Sequence, residues 1–101
     1  MKVKKILYKY IYMYQIKKYS FDRAKKLNVI IKPSNKGDYK IDVFNKNGGY
    51  ITSIGNKNYL DYPSYIEEKD LEHANKRRYL YHLRHKNDIG IRGFFALNIL
   101  W

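Results

Sequence analysis

Two alternating stretches, Tyr39-Lys40-Ile41-Asp42-Val43-Phe44 and Tyr50-Ile51-Thr52-Ser53-Ile54, flank Asn45-Lys46-Asn47-Gly48-Gly49. A period of two sends successive side chains to opposite faces of a strand, and β-branched and aromatic residues suit such a half-buried surface. Asn and Gly between them supply the backbone conformations of a tight reversal, so the segment reads as an antiparallel β-hairpin. Upstream, Val29-Ile30-Ile31 is a β-branched run closed by the loop Pro33-Ser34-Asn35-Lys36-Gly37-Asp38, which adds a strand. The expectation is a three-stranded antiparallel sheet over residues 28–55.

Ser20 has the chemistry of an N-cap for a short helix, Phe21 to Leu27, with Asp22 in its first turn and Lys25 and Lys26 late, as the helix dipole favours. Asn28 tolerates the left-handed conformation that ends it. Gly55 to Ser64 reads as an irregular connection, because Pro63 forbids a regular central strand. Asp70 caps a helix over residues 70–86. Its apolar residues divide between a Leu71, Ala74, Tyr81 side and a Tyr79, Leu80, Leu83 side, so contacts from two directions are expected. Gly90 and Gly93 punctuate the chain, and Phe94 to Trp101 is a short apolar helix or extended segment that packs on the core. The fold class expected is α+β: the sheet packed by the 70–86 helix, closed by the C-terminal segment and preceded by a short helix.

The first segment fits two periods. As a helix, Val3, Ile6, Leu7, Tyr10, Met13 and Tyr14 form a stripe; as a strand, Tyr8, Tyr10, Tyr12, Tyr14 and Ile16 share a face, and the Tyr and Ile content tips the balance to strand. An interleaved Lys/Tyr ribbon can stack bases and pair phosphates, but tyrosines packed on a core with lysines in water is the commoner use of such a strand. Residues 1–19 are accordingly taken as a basic Tyr/Lys-rich segment and residues 20–101 as one domain. A chain of 101 residues is large enough for one modest core without a staple.

There are no cysteines, which removes disulfide scaffolds, thiolate zinc sites, iron–sulfur clusters and cysteine nucleophiles. No apolar run approaches the length of a membrane span and no signal peptide is visible, so a soluble protein without a membrane partner is expected. The charge is the strongest positive signal, at 21 Lys+Arg against 9 Asp+Glu, a net of +12. Lys, Asn, Ile and Tyr are abundant, as in genes from A+T-rich genomes. That pressure also favours Glu, yet only Glu67, Glu68 and Glu72 occur; the imbalance exceeds what codon bias supplies. Nucleic acid is the favoured counterpart, ahead of an acidic protein surface or solubility alone. Residues 1–33 carry ten basic residues against Asp22 alone, a density suited to phosphate contacts that do not read sequence.

Candidate nucleic-acid contacts are Lys4, Lys5, Lys9, Lys17, Lys18, Lys25, Lys26, Lys76, Arg77, Arg78, Arg84 and Lys86. Arg77 and Arg84, seven apart on a helix, point the same way, a spacing suited to neighbouring phosphates. The same arginines beside Tyr79 and Tyr81 can instead stack on aromatics or pair with Glu67, Glu68 or Asp70. His82 and His85 lie one turn apart, but with His73 they match no zinc spacing, so no metal is expected. Asp61, in Tyr59-Leu60-Asp61-Tyr62-Pro63, suits a turn-forming acceptor better than a catalytic carboxylate. No phosphate loop, nucleophile elbow or carboxylate pair is present, and neither an enzyme nor a cofactor is expected.

From Arg23 onward the chain resembles a family of small uncharacterised proteins of giant nucleocytoplasmic large DNA viruses. The resemblance rests on Ala24-Lys25-Lys26-Leu27, Lys32-Pro33-Ser34, Lys40-Ile41-Asp42-Val43-Phe44, Ser53-Ile54-Gly55, Tyr59-Leu60-Asp61-Tyr62-Pro63, Arg77-Arg78-Tyr79-Leu80-Tyr81 with Arg84-His85, Phe95-Ala96 and Ile99-Leu100-Trp101. Residues 1–19 have no counterpart, a family glycine is Asn28 here, and the region after Asp88 is shorter. The resemblance implies a viral gene, no assigned enzymatic activity, and Arg77, Arg78, Tyr81, Arg84 and His85 as a shared cluster. The leading expectation is a non-enzymatic protein binding double-stranded DNA without sequence specificity, in genome compaction or packaging, in the virion or the host cytoplasm and viral factory. The alternatives are a minor capsid or tegument protein docking on acidic virion proteins through Tyr8 to Tyr14 and Phe94 to Trp101, and a host-directed regulator. A homo-oligomer is compatible with any of them.

Overall fold

The computed structural model describes residues 13–88 and 90–101. The chain is α+β, in the order α1 (Lys18–Lys26), β1 (Ile30–Pro33), β2 (Ile41–Phe44), β3 (Tyr50–Ile54), α2 (Tyr62–Glu68), α3 (Leu71–Arg84) and α4 (Ile91–Ile99). The three strands form one antiparallel sheet in sequence order, with Ile31 opposite Val43 and Ile41 opposite Ile54. The hairpin forms where the alternation placed it. Asn45 builds its turn, its side-chain oxygen accepting from the backbone N–H groups of Asn47 and Gly49. A register shift at Val43/Phe44 is a bulge that twists the hairpin.

One sheet face carries Ile31, Ile41, Val43 and Ile54 into a core completed by Ala24 of α1 and by Ala96, Ile99 and Leu100 at the end of α4. The apolar C-terminal segment thus closes the core as expected, as a helix. The layer against the strands is α4 on β3 with α1 on β1, whereas α3 packs on α2. The long helix therefore joins the body through α2, where Ala74 is fully buried with Tyr62 and Tyr65, and through Trp101, rather than lying on the sheet. Its Leu71, Ala74, Tyr81 side is only partly turned inward: Ala74 is buried and Tyr81 half-buried, but Leu71 is exposed. Tyr79, Leu80 and Leu83 on the other side are exposed, so the second expected contact is not made by this chain's described residues.

Three local expectations are corrected. Helix α1 begins at Lys18 and its N-cap, Lys17, makes no side-chain cap. Ser20 is fully buried instead and donates to the Ile99 carbonyl at 2.9 Å, while Arg23 Nε donates to the Asn98 carbonyl. Both satisfy carbonyls that the last turn of α4 leaves without partners, and the guanidinium also faces the negative end of that helix dipole. Residues 62–64, expected to close an irregular connection that starts at Gly55, instead open α2, which runs on to Glu68. Asp61 is its N-cap, accepting from the Ser64 N–H at 3.0 Å, and Pro63 sits in the first turn, where its missing N–H costs nothing. The 70–86 helix ends at Arg84, and Asp70 caps it as expected, accepting from the His73 N–H at 2.7 Å. At the end of α1, Asn28 has φ 64°, with Val29 N–H bonded to the Ala24 carbonyl and Asn28 N–H to that of Lys25, a Schellman motif built on asparagine. The expected N-terminal strand falls mostly on residues 1–12, outside the described residues; residues 13–17 form no strand.

Candidate nucleic-acid interface

Five of the nine carboxylates are taken up by lysines of the same chain or by a helix end. Glu67 pairs with Lys17 at 2.8 Å, Asp22 with Lys18 at 2.6 Å, Asp42 with Lys36 at 3.0 Å and Asp61 with Lys40 at 2.7 Å, while Asp70 serves as a helix cap. Lys40 and Asp61 are buried, 5% and 1% exposed. Tyr14 closes over them, donating to Asp61 at 2.5 Å with Lys40 facing its ring. Burial, and then the neighbouring Asp61 charge, hold the Tyr14 hydroxyl far above the usual phenol range. Asp42 belongs to a second network. Burial pushes its pKa up, but hydrogen bonds from Ser34, Ser53 and Lys36 outweigh that and leave it below the ordinary carboxylate value.

Of the candidate contacts, Lys4, Lys5 and Lys9 lie outside the described residues. Lys17 and Lys18 are committed to the ion pairs above. Lys25, Lys26, Lys76, Arg84 and Lys86 are exposed and form no ion pair among the described residues. Arg77 donates from Nε to the Tyr65 hydroxyl at 3.2 Å and lies over that ring, and Arg78 lies 4.7 Å from the Tyr62 ring centroid. Both arginines thus hold α3 on α2 through aromatics, and neither pairs with Glu67, Glu68 or Asp70 in the described structure.

Arg77 and Arg84 line one cleft of about 820 Å³, bounded by α3, the start of α4 and the loop after β3. That volume is within the range of small-ligand sites. Arg92, absent from the candidates that the sequence offers, joins them from α4, its Nε donating to the Ser53 carbonyl at 3.0 Å and its guanidinium over Tyr39. Its only signal was a lone cation between Gly90 and Gly93. Tyr81 stacks on Trp101 (centroids 4.3 Å, planes 7° apart) and on His85 (4.2 Å, 26°). Two rings that close cannot share one face, so Tyr81 is sandwiched and the column runs Trp101, Tyr81, His85. Burial, with the Asp88 charge second, raises the Tyr81 pKa against the opposing pull of Arg84. The other histidines are used separately: His73 packs on Tyr65, and His82 Nε2 lies 3.3 Å from the Trp101 carbonyl. Among the described residues, no three His, Asp or Glu side chains gather as metal ligands, and no helix is long and apolar enough to cross a membrane.

Fold and surface define a small basic α+β domain in which four of the nine carboxylates pair with lysines and most of the lysines and arginines among the described residues form no ion pair. Compared with known family models, with curated proteins and with solved structures, the chain matches none.

Proposed function

We propose that the protein is a non-enzymatic, sequence-independent binder of double-stranded DNA, acting in compaction or packaging of a viral genome. The observation that carries this reading is the imbalance left after internal pairing: exposed Lys25, Lys26, Lys76, Arg84 and Lys86 have no carboxylate partner among the described residues of a chain with net charge +12. Lysines and arginines so placed neutralise phosphates and release counterions, which gives affinity without base readout. Their spread over α1, α3 and the turn after it suits contact with more than one duplex segment, as compaction requires. The viral setting comes from the family resemblance.

Binding to duplexes of unrelated sequence and equal length tests the reading. Equal affinities are expected; a strong preference for one sequence, or no binding at low salt, contradicts it. Docking on an acidic virion protein is the alternative, favoured by the exposed Tyr79, Leu80 and Leu83 on α3. Within Phe94 to Trp101, the other segment proposed for such docking, Phe94 is exposed while Ala96, Ile99 and Leu100 are in the core. Nuclease treatment of fractionated particles separates the two: DNA binding requires the protein to leave with the genome, and docking requires it to stay with the shell.

A further inference from the structure

The cleft has a chemistry that diffuse phosphate contacts do not need. Its aromatic column ends in His85, whose side chain is 35% exposed. Trp101 and His85 occupy the two faces of Tyr81, so the far face of His85 is where a further flat ring extends the stack. Arg77 and Arg92 are each anchored through Nε, and the terminal nitrogens of Arg77, Arg84 and Arg92 make no hydrogen bond or ion pair among the described residues. Anchoring one edge of a guanidinium fixes its plane and leaves its fork for an oxyanion. The acidic residue on the wall, Asp88, rests against Gly93 in the first turn of α4, so close that a Cβ there would collide with its carboxyl group. The positive end of the α4 dipole offsets its charge.

We infer that this cleft takes an unpaired nucleotide of a DNA strand, its base on the open face of His85 and its phosphate held by Arg84 together with Arg77 and Arg92. The inference rests on the nucleic-acid reading and sharpens it: the protein grips duplex through its dispersed cations and captures single-stranded ends or gaps in the cleft. Stacking on an aromatic ring is tolerant of base identity, so the absence of sequence reading is preserved.

The test is fluorescence anisotropy at one salt concentration with a blunt duplex, the same duplex carrying a single-stranded overhang, and the free single strand. The overhang duplex should bind about five-fold or more tighter than the blunt one, the lower end of what one base stack supplies. His85→Ala should remove that preference while leaving blunt-duplex affinity within about two-fold, and Arg84→Ala should remove it while also weakening blunt-duplex binding by the share of one phosphate. Arg84 is exposed, so its variant keeps the fold even if the loss of His85 disturbs the column, and fluorescence of Trp101, the single tryptophan, reports the column in both. Equal affinity for blunt and overhang duplexes, or a preference that survives both substitutions, overturns the cleft assignment and leaves the duplex reading standing. Binding to the overhang and free strand alone overturns the duplex reading and keeps the cleft. Binding to none of the three overturns both.

Discussion

Lys40 and Asp61 are 21 residues apart in sequence and share a buried ion pair that also orders Tyr14 and the first turn of α2. Removing one member of such a pair strands the other charge away from water. Asp61→Asn keeps an oxygen for the Ser64 N–H but leaves Lys40 unpaired, and should cost about 3–5 kcal/mol in chemical denaturation. The double variant Lys40→Met/Asp61→Asn should recover most of that loss, and a single-variant loss below about 1 kcal/mol contradicts the pairing. Asp42 sets an acid limb. Its folded pKa is below its unfolded value, so its contribution is fully present above the ordinary carboxylate pKa of about 3.9 and is lost as pH falls through the lower folded value. Asp42→Asn should flatten the fall in urea midpoint below about pH 4; an unchanged acid limb contradicts the Ser34, Ser53 and Lys36 network. Gly55, at φ 79°, belongs with these residues, because a Cβ there would meet Leu100 and the stem of Lys40.

At the scale of elements, α3 divides its arginines between two tasks. Both Arg77 and Arg84 are exposed, but Arg77 braces α3 on Tyr65 whereas Arg84 makes no hydrogen bond or ion pair among the described residues. Arg77→Ala should therefore lower stability by about 1 kcal/mol, the usual worth of one hydrogen bond with a cation–π contact. Arg84→Ala should leave stability unchanged and reduce the salt slope of DNA binding by about 0.9, the share of one phosphate. Melting temperature and salt-dependent affinity on the same preparation check both, and the reverse pattern contradicts the division. Elements were legible where the signal was local. The hairpin is written in period-two alternation and an Asn/Gly turn, and Asp70 and Asn28 sit where the helix boundaries need them. Helix α2 is hard to see in the sequence because a proline that breaks a strand and a proline in the first turn of a helix look alike until Asp61 is seen to cap it. Ser20 misled because an N-cap serine and one that closes a distant helix end look alike in sequence. The cleft was half legible: the seven-residue spacing put Arg77 and Arg84 on one wall, but Arg92 and Trp101 reach it only through tertiary packing.

At the scale of the whole molecule, four of the nine acidic residues pair with lysines of the same chain; each pair cancels one charge of either sign, so the field that a polyanion meets is that of the remaining excess, a net of +12. Such a field speeds encounter and gives affinity that salt dismantles. The α+β body supplies the rigid frame, with α4 clamped at its last turn by Ser20, Arg23 and the Tyr62 N–H, which donates to the Leu100 carbonyl at 3.0 Å. The most direct measurement of the central claim is the equilibrium affinity of the intact chain for a blunt DNA duplex across a salt series. The expected result is a linear fall of log affinity with log salt, with a slope of roughly −0.9 for each phosphate neutralised. Affinity that stays flat between low and moderate salt, or no binding at low salt, would contradict it.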